Sequence, residues 1–366
     1  MIKRRKISIA TRRSPLALWQ ANTVKRLLEE KNFDVDLNLV TTSGDKMQKG
    51  ALANVALDDP NLPAHLRTGK GLFVKEVQEE ILAERADLAV HSMKDLPVES
   101  TQGLRVVAVL PRANPADVMI FSPQLLARMV PYIRTNDSLD RQHETVIHAL
   151  RMLNWPDLAE IGTTSSRRQH FLKRLFAPAE IPLVVLRGNV DSRLTKAANN
   201  DYSFIMLARA GLDRLGLFNA QTMMTLPIDV STPAPAQGVV AIECRESDEQ
   251  LRECLKTLND PLTSLAAACE RAALWLTGGN CHTALAAFFD GRQLKTWAAK
   301  EQLFSELTFL FTADESGQLQ RWSRSVDQCQ LFESLIRSPI AERLHQQLLN
   351  QGFQTMMSLR SPVTHY

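Results

Sequence analysis

Lys94 and Asp95 stand side by side in the string His-Ser-Met-Lys-Asp-Leu-Pro-Val-Glu, residues 91–99. An adjacent cation and carboxylate suit a substrate that carries negative groups and turns cationic as it reacts. The ammonium binds the anion and the carboxylate faces the developing positive charge. Most Lys-Asp neighbours are solvated surface pairs, so position decides. The string follows Ala-Asp-Leu-Ala-Val at 86–90, an apolar-biased run of strand length. That puts Lys94 and Asp95 just past a strand end, where open α/β sheets bind ligands. Pro97 holds Leu96 extended and fixes the exit of the loop.

Three further segments concentrate arginine and hydroxyl groups: Ala-Thr-Arg-Arg-Ser-Pro at 10–15, Gly-Thr-Thr-Ser-Ser-Arg-Arg-Gln at 162–169 and Leu-Arg-Gly-Asn-Val-Asp-Ser-Arg at 186–193. Each reads as a strand-to-helix junction. Helix N-termini offer unpaired N–H groups, and hydroxyls add donors. Arginine forks take carboxylate or phosphate bidentately. Any one of these arginines is as readily a structural or surface ion pair. Three such junctions in one chain point to a shared site for a ligand with several anionic groups. Gly162 and Gly188 add least, since a turn glycine needs no ligand. Cys281 lies in Thr-Gly-Gly-Asn-Cys-His-Thr at 277–283. On such a turn it is a nucleophile, a covalent attachment point or a small structural thiol. His282 points the opposite way on an extended chain and is discounted as its base.

These groups need strands and helices to aim them. Residues 6–10 read as a strand, and Ser14 caps a helix that Pro15 opens. Residues 35–40 alternate as a second strand, 72–82 as a helix, and 86–90 and 104–110 as further strands. The alternation argues for an α/β fold with a largely parallel sheet. A second α/β segment begins near Pro111, with strands near 160–163, 182–187 and 203–208. Residues 124–158 interrupt it as an insertion without evident chemistry, although 139–153 carries helical spacing. The Pro-rich segment 231–238 is a candidate hinge, and 239–244 then reads as a strand. Helices at 248–258 and 261–276 precede a small α+β segment. Its strands fall at 284–289, 294–299 and 306–312, and its helices at 327–336 and 340–351. The predicted domains are 1–110 with 239–256 returning to it, 111–238, and 257–366.

The 366 residues suffice for two or three domains, and the 45% hydrophobic content supports real cores. A formal net charge of only +3 argues against a general nucleic-acid binder. No apolar run reaches membrane-spanning length. The basic start Lys3-Arg4-Arg5-Lys6 runs into Thr11-Arg12-Arg13 without the apolar core of an export signal. The five cysteines are odd in number and contain no Cys-x-x-Cys, against both a disulfide framework and a cysteine zinc site. A cytoplasmic enzyme or binding protein, with no metal, is expected.

The 91–99 string closely resembles the active-site loop of the porphobilinogen deaminase (hydroxymethylbilane synthase) family, and the other segments resemble that family's signatures in order across residues 7–282. The most specific are 9–21, 69–76, 86–99, 162–169 and 187–193, with support from 208–217 and 237–245. The resemblance implies three domains: two resembling periplasmic binding proteins, with parallel-rich mixed sheets around a cleft, then a small α+β domain. It implies condensation of four porphobilinogen units with loss of ammonia. It makes Asp95 the catalytic carboxylate, stabilising cationic azafulvene and protonated pyrrole intermediates. It makes Cys281 the covalent tether of a dipyrromethane cofactor. Lys94, Ser92, Thr163, Ser165, Arg167, Arg168, Arg187 and Gly188 are then cofactor-binding. Arg12, Ser14, Arg168, Arg193 and Lys70 are substrate-binding, Lys70 on a lid-like loop. A monomer with porphobilinogen as its small-molecule partner, and neither nucleic acid nor membrane, is expected. The chain departs from the family pattern at Ser43, Ala116, Asn280 and Ala284. The competing expectation is a non-catalytic or impaired two-domain anion-binding homologue.

Overall fold

The structure is a computed structural model that describes residues 5–42, 74–134, 137–279, 283–355 and 359–360. It divides into two compact units, residues 1–113 with 234–366, and residues 114–233. The first unit opens with β1 (Lys6–Arg12), α1 (Pro15–Glu29) and β2 (Asp34–Val40). It continues through α2 (Lys75–Leu82), β3 (Leu88–Ser92) and β4 (Leu104–Val109). The helix predicted over 72–82 is thus described from Lys75, and residues 72 and 73 lie outside the described residues.

The second unit holds β5 (Asp117–Phe121), α3 (Pro123–Met129) and α4 (His143–Met152). After these come β6 (Ile161–Gly162), α5 (Ser166–Phe176), β7 (Leu183–Val184) and α6 (Val190–Ala198). It ends with β8 (Phe204–Ala208), α7 (Arg209–Arg214) and β9 (Met223–Thr225). Its sheet order is β7-β6-β8-β5-β9, parallel from β7 to β8 and antiparallel at β5. Strands β5 and β9 were not anticipated. The helical spacing over 139–153 resolves into a 3₁₀ turn, Leu139–Gln142, followed by α4. Val146, Ile147 and Leu150 of α4 are buried, so this insertion is part of the unit's packing. Trp155 packs against Phe176 and Phe204, with ring centroids 5.1 and 6.2 Å away.

The chain then returns to the first unit as β10 (Val240–Arg245), α8 (Glu249–Lys256) and α9 (Pro261–Leu276). Strand order there is β2-β1-β3-β10-β4. β1 pairs in parallel with β2 and β3, whereas β10 lies antiparallel between β3 and β4. The alternation of β3 sends Leu88 and Val90 to the face shared with Val24 and Leu28 of α1 and Leu251 of α8. Ala89 goes to the opposite face, under Val77 and Ile81 of α2.

A meander of β11 (Leu285–Phe289), β12 (Gln293–Lys300) and β13 (Leu303–Leu310) follows. It is completed by α10 (Ala313–Ser325), α11 (Gln328–Ile336) and α12 (Pro339–Asn350). Helix α10 was not anticipated. Its start is a capping box, with Thr312 and Glu315 satisfying each other's backbone N–H. β13 begins three residues before the predicted 306. Helix α9 is the common core element of this unit. Asp260 caps it, Pro261 opens it, and every residue from Thr263 to Leu276 is buried. A helix apolar all round belongs in an interior. Ala267 meets Met93, Leu96, Val109 and Ala236. Leu265, Cys269 and Ala272 meet Leu285, Leu294 and Leu331.

Candidate active site

At the C-terminal ends of β1 and β3 the first unit opens a pocket of ≈ 100 Å³, lined among others by Arg12, Ser14, Gln20, His91, Ser92 and Asp95. Two parallel neighbours ending at one edge deliver these groups together, as strand-end chemistry requires. Ser14 caps α1, its hydroxyl accepting from the Ala17 amide at 3.4 Å. β3 stops at Ser92 and gives way to a 3₁₀ turn, Met93–Asp95, closed by the Leu96 amide donating to the Met93 carbonyl at 3.2 Å. Met93 and Leu96 are buried on either side of the turn while Asp95 is exposed. Two apolar anchors thus point the carboxylate outward. Gln20, buried in α1, donates to the Ser92 hydroxyl at 2.9 Å and fixes that side chain. Lys94 is not part of this lining; its ammonium lies 3.4 Å from Oε1 of Gln237.

Beneath the pocket lies a polar network that the sequence did not disclose. His91 Nε2 is 3.1 Å from Glu243 of β10, and Gln78 of α2 donates to both Glu243 oxygens at 3.0 Å. The Thr101 hydroxyl donates to Gln78 at 3.0 Å. A buried carboxylate with three hydrogen-bond contacts over its two oxygens is satisfied rather than strained.

In the second unit the two expected junctions take different forms. The Ser165 hydroxyl accepts from the Arg168 amide at 3.4 Å and caps α5; the Thr163 hydroxyl accepts from the Ser165 amide at 3.2 Å. Arg167 and Arg168 turn inward. Arg168 Nε and Nη2 donate to Asp117 Oδ1 at 3.0 and 2.7 Å, and its Nη1 donates to the Met206 carbonyl at 2.9 Å. Arg167 Nη2 is 2.7 Å from Asp117 Oδ2, and Nη1 donates to the Thr232 carbonyl at 2.9 Å. Burial pushes the Arg167 guanidinium below the ordinary arginine value, against the pull of Asp117. Gly188 and Arg193 do come together: Arg193 Nε donates to the Gly188 carbonyl at 2.7 Å. Gly188 has φ +119°, and an added Cβ would meet Ser192 Oγ at 2.2 Å, so this turn needs glycine. Burial lowers the Arg187 guanidinium as well.

Cys281 and Lys70 lie outside the described residues, as do Ser43 and Asn280. The other four cysteines are described, and burial raises every one of their thiols. Cys244 is pushed up to about 12 and Cys329 to about 11; Cys254 and Cys269 are also raised. All four are disfavoured as thiolate nucleophiles. Ala116, one of the departures from the family pattern, is buried just before β5. Arg112, by contrast, forks onto the fully buried Glu270 of α9 at 2.6 and 3.1 Å. Glu270 also accepts from the Ala236 amide at 2.7 Å and the Phe289 amide at 3.0 Å.

A family model described as "Porphobilinogen deaminase, dipyromethane cofactor binding domain" matches residues 7–253. A porphobilinogen deaminase of Legionella pneumophila is 39% identical over 284 residues, spanning 77% of this chain and 79% of that protein. One from Geobacter sulfurreducens is 37% identical over 284 residues, 77% and 76% of the two chains. One from Citrifermentans bemidjiense is 36% identical over 295 residues, 80% of each. Among solved structures, the zinc-bound ligand-binding component of an ABC-type import system from Staphylococcus aureus aligns over 99% of this chain and 97% of its own. Its TM-score is 0.39 at 9% identity.

Proposed function

The chain belongs to the porphobilinogen deaminase family, and from that premise we propose how its own residues divide the work. The activity is the stepwise condensation of four porphobilinogen units to hydroxymethylbilane, a transferase reaction of tetrapyrrole (haem) biosynthesis with loss of ammonia. The group bound is dipyrromethane, which supplies the pyrrole end onto which rings are added. The residues fit such a group. Its acetates and propionates need several cationic and hydroxyl donors, and Arg12, Ser14 and Ser92 line one pocket with Asp95.

The observation that carries the mechanism is Asp95 in that pocket, exposed at the end of a rigid strand. In each cycle the C–N bond of the substrate's aminomethyl group breaks and ammonia leaves with the substrate's own nitrogen. Positive charge then spreads over the pyrrole. The Asp95 carboxylate stabilises that charge, and would likewise stabilise the cation formed as the free α-carbon of the bound terminal pyrrole joins the substrate's methylene carbon; that α-carbon's proton would then leave to water. Arg12 and Ser14 bind incoming carboxylates. Lys94, Ser92, Thr163, Ser165, Arg187 and Gly188 hold the bound pyrroles. Arg167 and Arg168 act here through the charge they bring under the 162–169 junction, with Asp117 as their common support. Arg193 and Lys70 complete the substrate contacts. Cys281 is the covalent attachment point, a reading supported by the raised thiols of the other four cysteines. Division into three domains, a cytoplasmic location and a monomer without nucleic-acid or membrane partners complete the proposal. Its support is compositional, a formal net charge of +3. Among the described residues no helix is long and apolar enough to cross a membrane.

Intact mass decides the cofactor reading. Protein from a tetrapyrrole-competent host should exceed its polypeptide mass by a two-pyrrole unit, and Cys281→Ser should abolish the excess. A bare polypeptide mass in the parent protein overturns the enzyme reading. Asp95→Ala should retain the excess yet lose turnover; near-normal turnover removes Asp95 from its role.

A further inference from the structure

One helical turn beyond Ala267, Arg271 of α9 reaches the turn carrying Asp95. It is 6% exposed in the stretch Cys-Glu-Arg-Ala-Ala at 269–273, and the neighbouring Glu270 is bonded elsewhere, to Arg112, Ala236 and Phe289. Its Nη1 lies 3.5 Å from the Met93 carbonyl and 3.4 Å from that of Leu96. Its Nη2 donates to the carbonyls of Pro97 and Val98, the latter at 2.9 Å. The Phe332 ring lies 5.9 Å from the guanidinium carbon. Among the described residues no carboxylate pairs with it within 4.0 Å. Burial pushes the guanidinium down to about 10, so it stays charged at neutral pH. A buried cation without an ion-pair partner is costly unless hydrogen bonds replace its water. Here four carbonyls of a single six-residue stretch do so. Conversely, a 3₁₀ turn ends in carbonyls with no intrahelical donors, and one fork supplies them all.

We propose that Arg271 is the positioning residue of the catalytic carboxylate: its guanidinium fixes the backbone of residues 93–98 and so the place of Asp95 in the pocket. This rests on the assignment of Asp95 above. Arg271 touches neither substrate nor cofactor and acts only through the turn. Loosening the turn moves Asp95 by a fraction of its hydrogen-bonding range while leaving Arg12, on another strand, and Ser14, at the cap of α1, untouched. The rate of the chemical step should therefore suffer and substrate binding should not.

The test uses full-length, cofactor-loaded protein, with loading checked by intact mass. Arg271→Lys retains charge and some donors but not the planar fork; Arg271→Met retains neither. Displacing a reacting group by about 1 Å costs about 10²-fold, so kcat should fall by about that factor in Arg271→Met and less in Arg271→Lys, with KM within about twofold. A purely structural role would lower the loaded fraction without this split in the loaded molecules. Wild-type kcat in Arg271→Lys and Arg271→Met, or a raised KM at unchanged kcat, overturns the proposal. Should neither variant fold, amide exchange in the parent decides. The peptide over 93–98 should exchange as slowly as α9, and exchange as fast as residues 99–101 overturns it. Asp95→Ala separates this from the earlier reading. If Asp95→Ala turns over normally, that assignment fails whatever Arg271 does. If it is inactive while the Arg271 variants are normal, only the present proposal fails.

Discussion

Asp117 offers the sharpest test of how the second unit is held together. Its side chain is fully buried, and two guanidinium groups share it. Oδ1 accepts from Arg167 Nη2 at 3.0 Å and from Arg168 at 3.0 and 2.7 Å; Oδ2 accepts from the Ser231 hydroxyl at 3.0 Å. Two cations to one anion already leaves positive charge in excess. Asp117→Asn removes the carboxylate that both guanidiniums share and keeps the volume, so the effect reads charge rather than packing. Stranding a buried ion costs about 3–5 kcal/mol, and two are stranded here, so the upper end applies. The folded population should drop by a factor of roughly 10³ or more, a large part of the 5–15 kcal/mol that about describes a domain. Urea unfolding should follow the loss, with amide exchange confined to peptides from 114–233 locating it. A triple variant, Asp117→Leu with Arg167→Met and Arg168→Met, should recover most of the stability, because an apolar trio replaces a buried ionic one. It should also lose turnover, given the roles proposed for the two arginines. A loss below about 1 kcal/mol in Asp117→Asn, or no recovery in the triple variant, would refute the charge argument.

Two further outcomes follow from local geometry. Glu315 is partly buried, which raises its carboxyl, but bonds from Arg343 and Thr312 outweigh this and hold it below the usual 4.5. The sign follows: the folded carboxyl binds its proton less readily than the unfolded one. Its stabilisation is complete above the ordinary glutamate value and is lost as pH falls through the lower folded one. Glu315→Gln should therefore cost about 1 kcal/mol near neutrality and nothing in strong acid, read as urea midpoints at both. Gly188→Ala should destabilise by about 1–3 kcal/mol through its positive φ. Adding Ser192→Ala removes the 2.2 Å clash but not that strain, so recovery should be partial; full recovery would assign the whole effect to the contact.

What the sequence disclosed, and what it hid, separates by range. The Ser14 cap and the Pro261 start of α9 depend on residues within a turn of each other, and local pattern reads them; the strand before Lys94 was also read, although it runs from Leu88 to Ser92 and not over 86–90. The grouping of Arg12, Ser14, Ser92 and Asp95 was legible because parallel neighbours end at one edge. Arg167 and Arg168 looked like ligand donors because their inward partner, Asp117, is fifty residues earlier in the chain and lies on a strand, β5, with no alternation to betray it. Every residue of β5 is buried, which gives a bare apolar run after a proline. Arg271 was passed over as one charge on an alanine-rich helix; its partners are carbonyls, which leave no trace in side-chain chemistry. A buried arginine without a neighbouring acid at i±3 or i±4 is the signal that could have drawn attention to it. Cys281 and Lys70 were named from resemblance and lie outside the described residues.

The place of β10 bears on how the chain is made. β3 and β4 are adjacent along the sequence but not in the sheet; β10, which begins only at Val240, separates them and pairs with both. On a ribosome the other four strands of that sheet emerge long before that wedge exists. Residues 114–233, in contrast, carry all five of their strands without a break and can close as soon as they are out. The later-starting unit is thus the earlier to finish. Until Val240 arrives, the edges of β3 and β4 that β10 will pair are the stretch of nascent chain most open to wrong partners.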